Sequence, residues 1–352
     1  MISRLLRTVS NRRAFLSAGA VLPLAPLAAS TAIAAKHNSS HTDGMTTIGT
    51  VDHGRNGFDP HDLLTDWDTG SLETGADGQR VRTYDITAID IEIEIAPGIF
   101  FPAWTYNGRV PGPALRATEG DLLRINFVNN GSHTHSLHFH GIHGASMDGI
   151  AGSGLVAPGD SFVYEFSARP FGCHLYHCHA VPLKRHIHKG LYGAFIVDPD
   201  PALHPDHAEA ARSRQLGTPQ NAEWQELVMV LNGFDTNFDD ENEIYAVNTV
   251  AHEYMKRPIK IDRARPVRIY LINATEFDPI NSFHIHANFF DYYDHGTTLT
   301  PTLTTIDTVM QCQAQRGIIE MSFRDHEPGR YMFHAHQSEF AELGWMSFFE
   351  VT

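Results

Sequence analysis

Phe171-Gly-Cys-His-Leu-Tyr-His-Cys-His179 ends with two histidines flanking a cysteine. On an extended strand, neighbouring side chains point to opposite faces, so His177 and His179 share one face and Cys178 takes the other. One strand can then serve two metal centres. A thiolate with imidazoles suits copper, zinc or iron, and His-Cys-His alone does not choose among them.

The pattern recurs along a chain of 352 residues with 23 histidines. Four His-x-His pairs stand out: His138/His140, His177/His179, His284/His286 and His334/His336. They occupy corresponding places in two diverged copies. Ser136-Leu-His-Phe-His140 is echoed by Ser282-Phe-His-Ile-His286, and Leu175-Tyr-His-Cys-His179 by Met332-Phe-His-Ala-His336. Surface histidines do not repeat in this way. Eight neutral imidazoles converging from two domains can hold three copper ions and leave positions open for dioxygen.

Strand parity predicts a second centre. His135 lies three residues before His138 and so points, like Cys178, away from the paired histidines. Downstream, His186-Ile-His-Lys-Gly190-Leu191 offers another imidazole. Two histidines and a cysteine with a weak axial ligand make a blue-copper electron-transfer site.

The rest of the chain reads as all-β. Ile89, Ile91, Ile93 and Ile95 alternate with Asp90, Glu92 and Glu94, the period of a half-buried strand, and Pro97-Gly98 ends it. Short apolar runs separated by turn residues follow, which is the patterning of a β-sandwich. Residues 36–78 read as an extended or loop-like arm, 79–200 and 224–352 as the two domains, and 201–223 as a Pro- and Asp-rich linker with one helical turn.

Composition narrows the partners. With 26 Lys and Arg against 41 Asp and Glu, the formal charge is −15, which argues against nucleic acid or an anionic membrane surface. Three cysteines cannot build a disulfide framework; with Cys178 a ligand, at most Cys173 and Cys312 could pair, and two free thiols are the expectation. Residues 1–35 read as a twin-arginine export signal: Arg12-Arg13-Ala-Phe-Leu16 precedes an apolar run ending in small residues, with cleavage after Ala34 or Ala35. The run is too short and too interrupted by Pro23 and Pro26 for a transmembrane helix, so the mature protein is expected in the periplasm or outside the cell without a membrane span.

From about residue 80 to 352 the chain resembles two-domain multicopper oxidases built from Greek-key cupredoxin sandwiches, relatives of laccases and, more distantly, of copper nitrite reductases. Trp104-Thr-Tyr-Asn-Gly108, Pro111-Gly-Pro113 and His138-Phe-His-Gly141 match the first-domain signature, and Phe333-His-Ala-His336 matches the last. The resemblance implies one type 1, one type 2 and two type 3 coppers per subunit. His135, Cys178 and His186 would hold the type 1 copper, with Leu191 in the non-coordinating axial place. His138 and His284 would hold the type 2 copper, and His140, His177, His179, His286, His334 and His336 the type 3 pair. His186 is preferred over His188 because, in related sites, a Gly follows the ligand by four residues and the axial residue by five. Asp148 matches an acid that delivers protons near the cluster, and it equally suits a turn before Gly149. Glu339 and Asp307 are weaker candidates, and His133, His143 and His174 read as solvated or hydrogen-bonded histidines.

In the second copy, Asn281, Ala335, Phe340 and Trp345 stand where His135, Cys178, His186 and Leu191 stand in the first. All four differences remove type 1 ligands. The expected activity is laccase-like: phenols or aromatic amines give up electrons at the exposed edge of His186, and dioxygen is reduced to water. The expected assembly is a homotrimer with each cluster between subunits. A metal oxidase acting on Fe(II), Mn(II) or Cu(I) is the alternative. A nitrite reductase or a simple electron carrier would leave most of the eight histidines without a purpose.

Overall fold

The computed structural model describes residues 49–352. The expected export signal and the first part of the arm lie outside the described residues. The described residues form one compact unit.

Two β-sandwiches follow one another along the chain, and no sheet mixes strands from both among the described residues. In the first, one sheet runs in the order Trp67–Asp68, Gly112–Thr118, Tyr192–Asp198, Gly172–His177, His138–Phe139. Facing it are Ser71–Thr74, Arg80–Ala96, Leu122–Asn129 and Ser161–Ser167, with Ile99–Tyr106 hairpinned onto the long strand. Phe127, Tyr164, Tyr176 and Phe195 fill the space between. The second sandwich pairs a six-stranded sheet centred on Gln225–Phe234 and Val267–Asn273 with a five-stranded sheet containing Ile280–Ile285 and Gly329–His334. Its core holds Phe283, Phe333, Trp345 and Phe349.

Strand Arg80–Ala96 alternates as expected, but it changes sides midway. Tyr84, Ile86 and Ala88 are buried in the first sandwich, whereas Ile93 and Ile95 are buried in a further core shared by both halves. The reason lies in its partners: residues 81–88 pair with Leu122–Asn129, and residues 88–96 pair with Ile99–Tyr106. The shared core also takes Phe101, Leu175 and Ile196 from the first half and Val230, Phe234 and Ile272 from the second. Apolar burial on this scale, at ~25 cal/mol per Å², locks the halves together.

Two expectations need correcting. The arm is not simply extended. It carries helices His53–Asn56 and Pro60–Leu63, then adds Trp67–Asp68 to one sheet and Ser71–Thr74 to the other. The segment joining the halves is also more helical than one turn, with a seven-residue helix Ala208–Arg214 and a four-residue helix Pro219–Ala222. Ala211 and Arg214 are its buried anchors, too few to set up a visible helical period. No described helix is long and apolar enough to cross a membrane.

Candidate metal centres

His135, Cys178 and His186 meet in a buried cluster. The Cys178 Sγ lies 3.3 Å from His186 Nδ1 and 3.9 Å from His135 Nδ1, and the two Nδ1 atoms are 3.2 Å apart. Each comes from a different element. Backbone hydrogen bonds with Val156 in both directions pin His135. Cys178 follows the last residue of strand Gly172–His177, and His186 sits on the short helix Leu183–His188. Leu191 is fully buried and ties two of them together: its carbonyl accepts from the Cys178 N–H at 3.0 Å and its own N–H donates to the His186 carbonyl at 3.3 Å.

Burial lowers both histidines to about 4, so both imidazoles are neutral, and the same burial raises the Cys178 thiol. Three converging donor atoms thus carry more lone pairs than protons, and a thiolate here requires a cation. The set fits a metal ion that accepts sulfur and imidazole nitrogen.

The four His-x-His pairs form two quartets with matching geometry. In the first, His138 pairs in register with His177, and His140 Nε2 lies 3.1 Å from His177 Nε2. In the second, His284 pairs with His334, and His286 Nε2 lies 3.0 Å from His334 Nε2. The orienting hydrogen bonds match too. His138 Nδ1 donates to the Asp148 carbonyl and His284 Nδ1 to the Asp307 carbonyl, each at 3.0 Å. His177 and His334 donate from Nδ1 to the carbonyls of Cys178 and Ala335. These bonds fix the tautomers, leaving each Nε2 lone pair free to bind a metal.

Strand parity brings each pair onto one face, yet all four strands carrying the pairs stop at the pair's first histidine or one residue later. At His179 and His336 the backbone N–H leaves the ladder and donates to a serine Oγ instead, Ser136 at 3.0 Å and Ser282 at 2.8 Å. Sequence reasoning missed these two serines as site residues, although both appear in the repeated Ser-x-His and Ser-x-x-x-His spacing.

The second half has no counterpart to the sulfur site. Ala335 N–H donates to the Trp345 carbonyl, and Trp345 N–H to the Phe340 carbonyl, just as Cys178, Leu191 and His186 are linked in the first half. In place of ligands, Phe340 stacks on Tyr245 at 3.9 Å, Asn281 bonds Thr275, and Trp345 Nε1 donates to the Ser282 carbonyl. The space is packed and its polar groups are satisfied.

Asp148 does more than turn the chain. Its carboxylate is 3.0 Å from His138 Nδ1 and 3.9 Å from His143 Nε2. Asp307 is its counterpart, with a carboxylate oxygen 4.0 Å from His284 Nδ1. Glu339 lies on the exposed side of helix Ser338–Glu342. His174 is buried, with Nε2 on the Pro170 carbonyl and Nδ1 3.4 Å from Arg316. Cys173 and Cys312 are unpaired, the first buried and the second exposed.

The expectation of an exposed His186 edge is wrong: the residue is only 3% exposed. Trp104 covers it, with ring centroids 4.8 Å apart, and His133 stacks on Trp104 in turn. Access is instead through a cavity of about 590 Å³ lined by residues of both halves, among them Trp104, His133, His186, Phe238 and Phe277. His188 is part of that wall. Its Nε2 accepts from the Asp235 N–H at 2.9 Å, so the residue next to the site in sequence joins the halves.

Fold and donor sets are those of a metal-binding protein of the cupredoxin class. The multicopper oxidase family model matches residues 91–202 and, in a second form, residues 223–352. The chain therefore belongs to the multicopper oxidase family, which implies copper as the metal these donors hold. A solved multicopper oxidase is 52% identical, covering 86% of this chain and 100% of its own, with a TM-score of 0.78. A copper-containing nitrite reductase of Neisseria meningitidis is 34% identical over 33% of this chain and 30% of its own length. A copper resistance protein A homolog of Pseudomonas syringae pv. tomato is 35% identical over 35% of this chain and 20% of its own. The chain thus spans less than a third of the length of these curated relatives.

Proposed function

We propose that this protein is a laccase-type oxidase. It takes single electrons from small phenols or aromatic amines at a centre held by His135, Cys178 and His186, and it reduces dioxygen to water at a cluster held by the two quartets. The observation that carries the reading is the duplicated quartet: both copies keep all four histidines, and two in each copy make the same tautomer-fixing bonds. A nitrite reductase needs far fewer imidazoles.

Copper, when bound, supplies the one-electron couples and the place where dioxygen is held. The chain supplies the rest. Cys178 is bonded through its own backbone to His177 and His179, which gives a continuous covalent path from the sulfur site to the first quartet. Trp104 packs against His186 and leaves it only 3% exposed at the wall of the cavity. Asp148, hydrogen-bonded to His138, can hold a proton where oxygen reduction consumes one. Overall, four one-electron oxidations balance the four electrons and four protons needed to turn one dioxygen into two waters.

The quartets share no ring contact within the chain among the described residues, and His286 and His336 are exposed. This supports a homotrimer in which the first quartet of one copy faces the second quartet of the next. Aromatic walls in the cavity support an organic substrate over a metal ion, since Asp240 is already paired with Lys184 at 2.6 Å. The test is dioxygen uptake by the copper-loaded protein with a methoxyphenol, with nitrite offered as an alternative acceptor. Phenol-dependent uptake supports the reading, and nitrite consumption without uptake overturns it.

A further inference from the structure

The cavity above His186 has an unusual charge inventory for a chain with a net charge of −15. Most of its polar groups are already engaged. Lys184 is held by Asp240 at 2.6 Å. The Asp235 carboxylate accepts the backbone N–H groups of Asp239 at 3.1 Å and Asp240 at 2.9 Å. His188 Nε2 is taken by the Asp235 N–H, and His133 Nδ1 lies 2.7 Å from Ser132 Oγ. Ser132 in turn occupies the nearby Asp90 carboxylate.

Among the described residues, two cations here form no salt bridge with a carboxylate. Arg185 is exposed on helix Leu183–His188 and lines the cavity. Lys189 lies behind it over ring faces, 4.9 Å from Phe238, 5.1 Å from Phe101 and 5.7 Å from Trp104, and Asp90 acts on it through space. Glu276, beside Lys184, is pushed up to about 7 by burial and presents less than a full negative charge at neutral pH. The walls between these cations are flat and aromatic: Trp104, Phe238 and Phe277.

We infer that the cavity selects phenols that carry a carboxylate, with the ring between Trp104, Phe238 and Phe277 and the carboxylate on Arg185. A guanidinium binds a carboxylate through two parallel hydrogen bonds, which a neutral ester cannot reproduce. The inference rests on the oxidase reading for its chemistry, but binding itself needs no turnover.

The experiment compares 4-hydroxy-3-methoxycinnamate with its methyl ester on the copper-loaded protein and on Arg185→Gln and Arg185→Lys, and adds calorimetric binding of redox-inert 4-methoxybenzoate to all three. In Arg185→Gln the acid-to-ester ratio of kcat/KM should fall roughly tenfold or more, chiefly through KM, and benzoate binding should weaken by a similar factor. Arg185→Lys should recover part of both. An unchanged ratio, or equal benzoate binding in all three proteins, overturns the inference. If neither phenol is oxidised yet benzoate binding still depends on Arg185, the oxidase reading fails and the anion site stands.

Discussion

Cys178 occupies the one position from which a single residue can reach both centres, because its neighbours on either side belong to the first quartet. Replacing it with serine removes the thiolate but keeps size and burial. Cys178→Ser should abolish the intense blue absorption and substrate oxidation while leaving the copper of the quartets bound, as read by visible spectra beside copper analysis. Leu191 offers no donor atom from a fully buried position against two ligand backbones. Supplying a thioether with Leu191→Met should lower the reduction potential, measured by redox titration of the blue band, and an equal or higher potential would remove Leu191 from the axial place. At the first quartet, Asp148→Asn keeps the carbonyl bond to His138 and loses the acid. Dioxygen reduction should slow about 10- to 100-fold, with the blue band intact, in single-turnover reoxidation.

At the scale of elements, His-x-His pairs and the repeat made the site legible, since parity depends only on sequence spacing. What parity cannot show is where a strand ends, and the serine bonds that carry His179 and His336 past the ladder are contacts 43 and 54 residues apart. Asp307 looked weak in sequence because its likeness to Asp148 lies in a carbonyl bond rather than in its neighbours. The role of His188 could not be read from its neighbours because its partner, Asp235, comes from the other half. The exposed edge expected at His186 failed for the same reason: the cavity is built by two sandwiches at once. The arm's four-residue strand Ser71–Thr74 is exposed throughout and leaves no apolar period to read.

Across the whole molecule, a buried ionic network joins the halves. Arg116 contacts Asp198 at 3.0 Å and Glu226 at 2.7 Å, while Arg268 contacts Glu226 at 3.0 Å and Glu320 at 2.8 Å. Burial pushes Glu226 and Glu320 upward, but the arginines outweigh it and hold both below the usual carboxylate value of 4.5. Depressed carboxylates stabilise the fold above 4.5, and this contribution is lost as pH falls through their folded values. Thermal unfolding should therefore show a midpoint that drops steeply below about pH 4.5, and Glu226→Gln should cost about 3–5 kcal/mol at neutral pH by leaving two arginines underpaired. A flat profile across that range would contradict the role of the network.

The central claim is that one chain provides a complete sulfur site and two half-clusters that only a neighbouring copy completes. Copper content per chain, measured together with solution mass on the copper-loaded protein, tests it most directly. The account predicts four coppers per chain in a trimer. One or two coppers per chain, or four in a monomer, would contradict it.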